Sequence, residues 1–309
     1  MNDLLRDLLD RQHGMVARRQ LRAHDIDSDR VRNQVAAGRW VEVTPRVIST
    51  TTGPPSWQQW LWLGVLHAGP RSMLGGLTAA GVHGLTGWHR PEVTVLVDDE
   101  LSFDPVHGID FFRSRRPFEL LRSPAPGIPR CRVEPAVLLW AGYDAPPRAA
   151  HGVVAATVQQ RLSTPERMVA WVDQLQPLRR AKRFRATLGQ VAAGAHSVSE
   201  LDVHRMCRRH HIPAPHRQRT RTDRGGRRRW TDCEWDLADG RTLVLEVDGW
   251  FHTEVIEWGE DLKRARRLTT PTRTVVRCTA YELAYEAAEV ARDLVALGVR
   301  RGRVPDDAA

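Results

Sequence analysis

The stretch "RRRWTDCEWDLADGRTLVLEVDGWFH", residues 227–252, decides how the last third of the chain folds. Successive side chains of a strand point to opposite faces. One run therefore sets Asp232, Glu234 and Asp236 on one face and Cys233, Trp235 and Leu237 on the other. A second run sets Glu246 and Asp248 opposite Leu243, Leu245 and Val247. Between them, Ala238-Asp239-Gly240 carries turn chemistry. Antiparallel pairing of the two runs predicts Asp232 beside Glu246 and Asp248. The apolar face can enter a core, but three clustered carboxylates repel one another unless a hard divalent cation neutralises them. Oxygen-only ligands suit Mg²⁺ or Mn²⁺. Such an ion can activate a water and stabilise charge on a phosphodiester.

Working outward, "SELDVHRMCRRHH" reads as a helix closed by Pro213 and Pro215. "HRQRTRT" reads as a strand, with a turn at 223–226. "TEVIEWGEDLKRARRL" reads as an amphipathic helix, "TRTVVRCT" as a strand and "ELAYEAAEVARDLVAL" as a closing helix. The order is α-β-β-β-α-β-α. Charge is divided along this region: ten arginines against one acid between Arg205 and Arg229, then ten acids against one arginine between Asp232 and Asp261. A phosphate-attracting segment thus precedes an acidic one. Two solvated faces pairing with each other is the alternative reading.

A chain of 309 residues predicts two domains with room for a small third, and 41% hydrophobic content is enough for cores. The net charge of +9 points to a polyanionic partner, a balance that basic ribosomal and membrane-surface proteins share. No segment is apolar enough to span a bilayer and "MNDLLRDLLD" lacks a secretory layout, so no membrane partner is expected. Four scattered cysteines without a CxxC pair argue against a thiolate zinc site or a disulfide framework and for a reducing cytoplasm.

Residues 1–52 read as helix, helix, helix, hairpin. Gly14 ends the first helix, Ser28 caps "DRVRNQVAAG", and "WVEVTPRVIST" forms a strand pair around Thr44-Pro45. This is the pattern of a winged helix, whose third helix would offer Arg30, Arg32, Asn33 and Gln34 to a DNA groove or its phosphates. A small helical domain for protein contacts is the alternative. Residues 53–194 form a mostly helical middle region. There "SMLGGLTAAGVHGL" reads as packed helix and "EVTVLVDD" and "GIDFFRS" as strands, while Thr164 and Pro165 start "TPERMVAWVDQL". His83 and His89 read as core or surface residues, and no chemistry is evident in this region.

Residues 195–309 resemble the PD-(D/E)XK nuclease superfamily, and within it the large bacterial family similar to very-short-patch-repair endonucleases. "SVSE", the stretch quoted first and "EWGEDLKRARRL" carry the resemblance. It implies a restriction-endonuclease-like αβββαβ domain in an α/β (α+β) chain. Asp232 and Glu246 would take the two motif acids, and Glu200 the helix acid that completes the metal site. Asp248 stands where the superfamily motif has lysine. Lys263 could reach back to supply its charge, and His252 could serve as base. Ser197-Val-Ser-Glu200 also reads as a capping box, a role that needs no metal. At the other end, "GMVARRQLRAHDIDSDRVRNQVAAGRWVEVTPRVI" resembles the winged-helix domain of AbiEi-type antitoxins. That resemblance implies DNA binding, repression of a toxin operon and a toxin or other protein partner.

Two classes of function follow. One is a metal-dependent DNA endonuclease delivered by a winged helix, with Arg227, Arg228 and Arg229 adding phosphate contacts. The other is a non-catalytic, antitoxin-like regulator whose nuclease fold has lost its lysine.

Overall fold

A computed structural model of the chain describes residues 3–192, 195–248 and 265–301. It is a mixed α+β structure with three small sheets and two compact units. The first unit is Met1–Ala145 with Gln160–Ser163 and Ala170–Arg179; the second is Pro146–Gln159, Thr164–Val169 and Arg180–Ala309. Of the boundaries expected from the sequence, 52/53 thus falls inside the first unit and 194/195 inside the second.

The first unit opens with α1 (Asp3–Arg11), β1 (Met15–Ala17), α2 (Arg18–Ala23), α3 (Ser28–Ala36), β2 (Val41–Thr44) and β3 (Val47–Ser49). The strands form an antiparallel sheet in the order β1-β3-β2. Its core joins Leu5, Leu9, Val16, Leu21, Val31 and Ile48. Gly14 follows α1 with φ +79°, the left-handed conformation that lets the chain leave the helix. The cap of α3 differs from the expectation: Asp27, not Ser28, accepts the Arg30 backbone N–H at 2.8 Å. Asp27 has the extended backbone of a cap, whereas Ser28 is already helical.

Beyond this piece lie α4 (Trp57–Ala68), β4 (Ser72–Leu74), α5 (Gly76–Val82), β5 (Val93–Asp98), β6 (Ile109–Ser114), α6 (Phe118–Leu121) and α7 (Val133–Tyr143). Ser56 and Gln59 start α4 with a reciprocal capping box. The start of "SMLGGLTAAGVHGL" corrects the all-helix reading. Ser72–Leu74 is a strand because it pairs with Val95–Val97, and helix begins only at Gly76. Strand β5 is antiparallel to β4 and parallel to β6.

The second unit contains α8 (Pro147–Gln159), α10 (Ala181–Ala192), α11 (Ala195–Arg209), β7 (His216–Thr222), β8 (Arg228–Asp236), β9 (Thr242–Asp248), β10 (Arg273–Thr279), α12 (Ala280–Tyr285) and α13 (Ala287–Ala296); α9 (Pro165–Gln174) is shared between the units. The sheet order is β10-β9-β8-β7, with β9 parallel to β10 and the other pairs antiparallel. Cys233 and Trp235 of β8 and Leu243 and Leu245 of β9 form one core with Val203 and Met206 of α11 and Leu294 of α13. All four cysteines are buried free thiols. No helix among the described residues is long and apolar enough to cross a membrane.

Candidate functional site

The site is built on the face of the second unit's sheet that lies away from this core. The hairpin of β8 and β9 closes where Leu237 N–H donates to the Arg241 carbonyl at 2.8 Å and Gly240 takes φ +81°. That turn fixes the register Cys233↔Leu245 and Trp235↔Leu243. Asp232, one step beyond Cys233, comes beside Glu246, and its Oδ2 accepts the Val247 N–H at 2.9 Å. Glu246 is buried although it lies off the core face. Asp248 ends β9, and the description of it stops at its backbone.

On the other side of β9, the parallel register sets Arg277 of β10 beside Glu246. Its neighbour Cys278 belongs to the core, so Arg277 shares the face of Asp232 and Glu246. The sequence reading missed Arg277. Alternation in "TRTVVRCT" puts an arginine on a polar face, but a crossover decides which acid it meets.

Alternation sets Glu234 on the same face of β8 as Asp232. It is fully buried and taken up locally. Arg221 grips it with Nη2 at 2.6 Å and Nε at 3.1 Å, and Thr231 Oγ1 donates at 2.8 Å. A bidentate arginine compensates the charge, and the glutamate raises the pKa of Arg221 in return. Asp223, at the β7–β8 turn, accepts N–H groups from Arg227 and Gly225 and Nε of Arg229 at 3.2 Å. These bonds, the Arg227 backbone bond first, hold its carboxyl below the usual range. Arg229 is therefore engaged within the protein. Arg227 and Arg228 remain exposed, with no ion pair among the described residues, and Trp230 beside them is 64% exposed.

The candidate groove residues of α3 divide similarly. Arg30, Arg32 and Asn33 are exposed and Gln34 is half-buried. Arg32 pairs with Asp29 at 2.6 Å, and Gln34 Oε1 accepts from Arg39 at 2.7 Å. In the β2–β3 turn, the exposed Arg46 donates to the carbonyls of His67 and Ser102.

Glu200 lies on α11, described by its backbone alone. That helix begins at Ala195, so Ser197 sits inside it and not at its cap, and the capping-box reading does not hold. His252 and Lys263 lie outside the described residues. Among the described residues no three His, Cys, Asp or Glu side chains stand together as a metal-holding group. Asp232 and Glu246 supply two of the oxygen donors such a group would need. No protein-family model and no curated protein matches the chain.

Proposed function

We propose that the chain is a metal-dependent DNA endonuclease of the PD-(D/E)XK kind, carried to DNA by an N-terminal winged helix. The observation that carries this reading is the Asp232 carboxylate, which accepts the Val247 N–H and so lies against β9 next to Glu246, with Arg277 opposite Glu246 on the adjoining strand. The run α11, β7, β8, β9 and then β10 agrees with an αβββαβ core, and α1–α3 with the β1-β3-β2 sheet agrees with a winged helix. The carboxylates of Asp232 and Glu246 are hard oxygen donors of the kind Mg²⁺ or Mn²⁺ takes. A bound ion would supply an activated water and charge for the phosphodiester. Arg277 would then neutralise charge building on the phosphate, the service a motif lysine gives elsewhere and Asp248 cannot. Arg30, Arg32, Asn33, Arg227 and Arg228 would hold the duplex, largely through its backbone.

The test is plasmid cleavage with Mn²⁺, Mg²⁺ or chelator. Wild type nicks or cuts only with metal, and Asp232→Asn does neither. Melting supplies a second readout. An ion that binds only the folded form stabilises it by roughly 2.7 kcal/mol at a hundredfold excess over its Kd. Asp232→Asn should lose most of that gain. The place of Asp248 favours a second reading, a non-catalytic regulator with a protein partner such as a toxin. Duplex binding without cleavage and without a metal-dependent melting shift would establish it in place of the nuclease.

A further inference from the structure

The first unit contains an open cavity of about 1030 Å³ between α1–α2 and the layer formed by α4, α5 and the segment 84–90. Its size is that of a ligand pocket, and its walls mix apolar side chains with polar and basic ones. Three indoles, Trp57, Trp62 and Trp88, line it together with Leu61 and Leu77. Trp57 and Val82, which also line it, are 48% and 39% exposed.

Its charge is one-sided. Arg11, His13, Arg19, His89 and Arg90 line it, and no aspartate or glutamate does. Arg90 is offset by Asp144 from outside. Arg19 donates to the Leu66 carbonyl at 2.7 Å and makes no ion pair with an acid among the described residues. Its pKa is lowered, first by burial and then by neighbouring Arg46.

A third feature is independent of both. Gln12 is 4% exposed and lines the cavity, yet its carboxamide oxygen has no hydrogen-bond partner among the described residues. Leaving a buried acceptor unpaired is costly, because it has given up its hydrogen bond to water. A ligand donor would recover that.

We infer that this cavity binds a small planar aromatic anion that carries an N–H or O–H group. Its ring stacks among the indoles, its anionic group faces Arg11 and Arg19, and its donor meets Gln12. The inference stands apart from the nuclease reading, since no residue of the β8–β9 face takes part.

Calorimetry on the full chain tests it with three probes: indole-3-acetate, indole and acetate. Indole-3-acetate binds saturably at one site, indole binds at least about fivefold more weakly, and acetate gives no heat. Val82→Trp, a change at an exposed position, fills the mouth and removes binding. Gln12→Leu weakens it by about tenfold. Circular dichroism melting checks that both variants fold. No saturable heat from indole-3-acetate at low-millimolar concentration would overturn the assignment. So would unchanged affinity in folded Val82→Trp.

Discussion

Strands β5 and β9 occupy equivalent places in two unrelated sheets. Each has an antiparallel neighbour on one side and a parallel neighbour on the other. Their faces differ. Strand β5, "VTVLVD", is buried from Val93 to Val97 between helices. Gly64 of α4 lies against Val95, and Gly75 and Gly76 lie against Leu96 and Thr94. Strand β9, "TLVLEVD", is buried from Leu243 through Glu246 and places a carboxylate where the buried part of β5 has only aliphatic groups and a threonine. An apolar central strand needs close-fitting neighbours. A charged one needs charged neighbours on the adjoining strands, and β9 has Asp232 on one side and Arg277 on the other. The comparison separates a strand buried among aliphatic groups from one that carries a buried carboxylate between charged neighbours.

The largest effect should come from breaking the acid-bearing strand's surroundings. Arg277→Ala lowers metal-dependent plasmid cleavage by about a hundredfold, whereas Arg277→Lys retains most of it. Equal activity in all three proteins would remove Arg277 from the reaction.

Burial of a charge-capable group has its price in acid. His151 in α8 is fully buried, contacts Thr187 Oγ1 at 2.8 Å and has its pKa pulled down to about 4, by desolvation first and then by Arg183 and Arg180. The unfolded chain binds this proton near pH 6.5, while the folded one resists it down to about 4. Stability is therefore complete above pH 6.5, falls as pH drops through that window, and loses roughly 3 kcal/mol in all. Denaturant unfolding at pH 7 and pH 4 measures the loss, and His151→Leu should flatten the profile.

On the apolar strand, a Cβ at position 64 would come within 2.6 Å of Val95 Cγ2. Gly64→Ala should cost about 1–3 kcal/mol of stability, and adding Val95→Ala should return part of it. A neutral Gly64→Ala would mean that α4 packs more loosely than β5 requires.

The smallest effect concerns salt. Arg227 and Arg228 together changed to alanine should reduce the salt slope of duplex binding by up to about two phosphate contacts, whereas Arg229→Ala leaves the slope unchanged. A drop on removing Arg229 alone would show that DNA takes it from Asp223.

Much of the second unit was legible because its signals are local. Alternation from Asp232 to Leu237, the glycine turns at 226 and 240, and the apolar side of β9 specify strands, hairpins and register together. Gly226 and Gly240 do take positive φ. What was not legible depends on distant partners. Met15–Ala17 is three residues without a pattern and becomes a strand only by pairing with Val47–Ser49. Ser72–Leu74 lies in a run of small residues and is extended because β5 lies alongside. The juxtaposition of Arg277 and Glu246 needs a parallel crossover, whose register no turn announces. The arginine run misled by its length. Arg219, Arg221 and Arg229 meet Asp236, Glu234 and Asp223, so fewer cations face outward than the sequence suggests.

The four buried thiols have a consequence for watching the molecule move. Burial pushes Cys207 up to about 11 and raises Cys131 still more, so neither carries appreciable thiolate at neutral pH while its surroundings stay closed. An alkylating reagent can therefore modify them only during excursions that open the packing. Cys131 belongs to the first unit, while Cys207, Cys233 and Cys278 belong to the core of the second. Mass spectrometry of the labelled peptides would report, unit by unit and without any engineered cysteine, how often each core breathes.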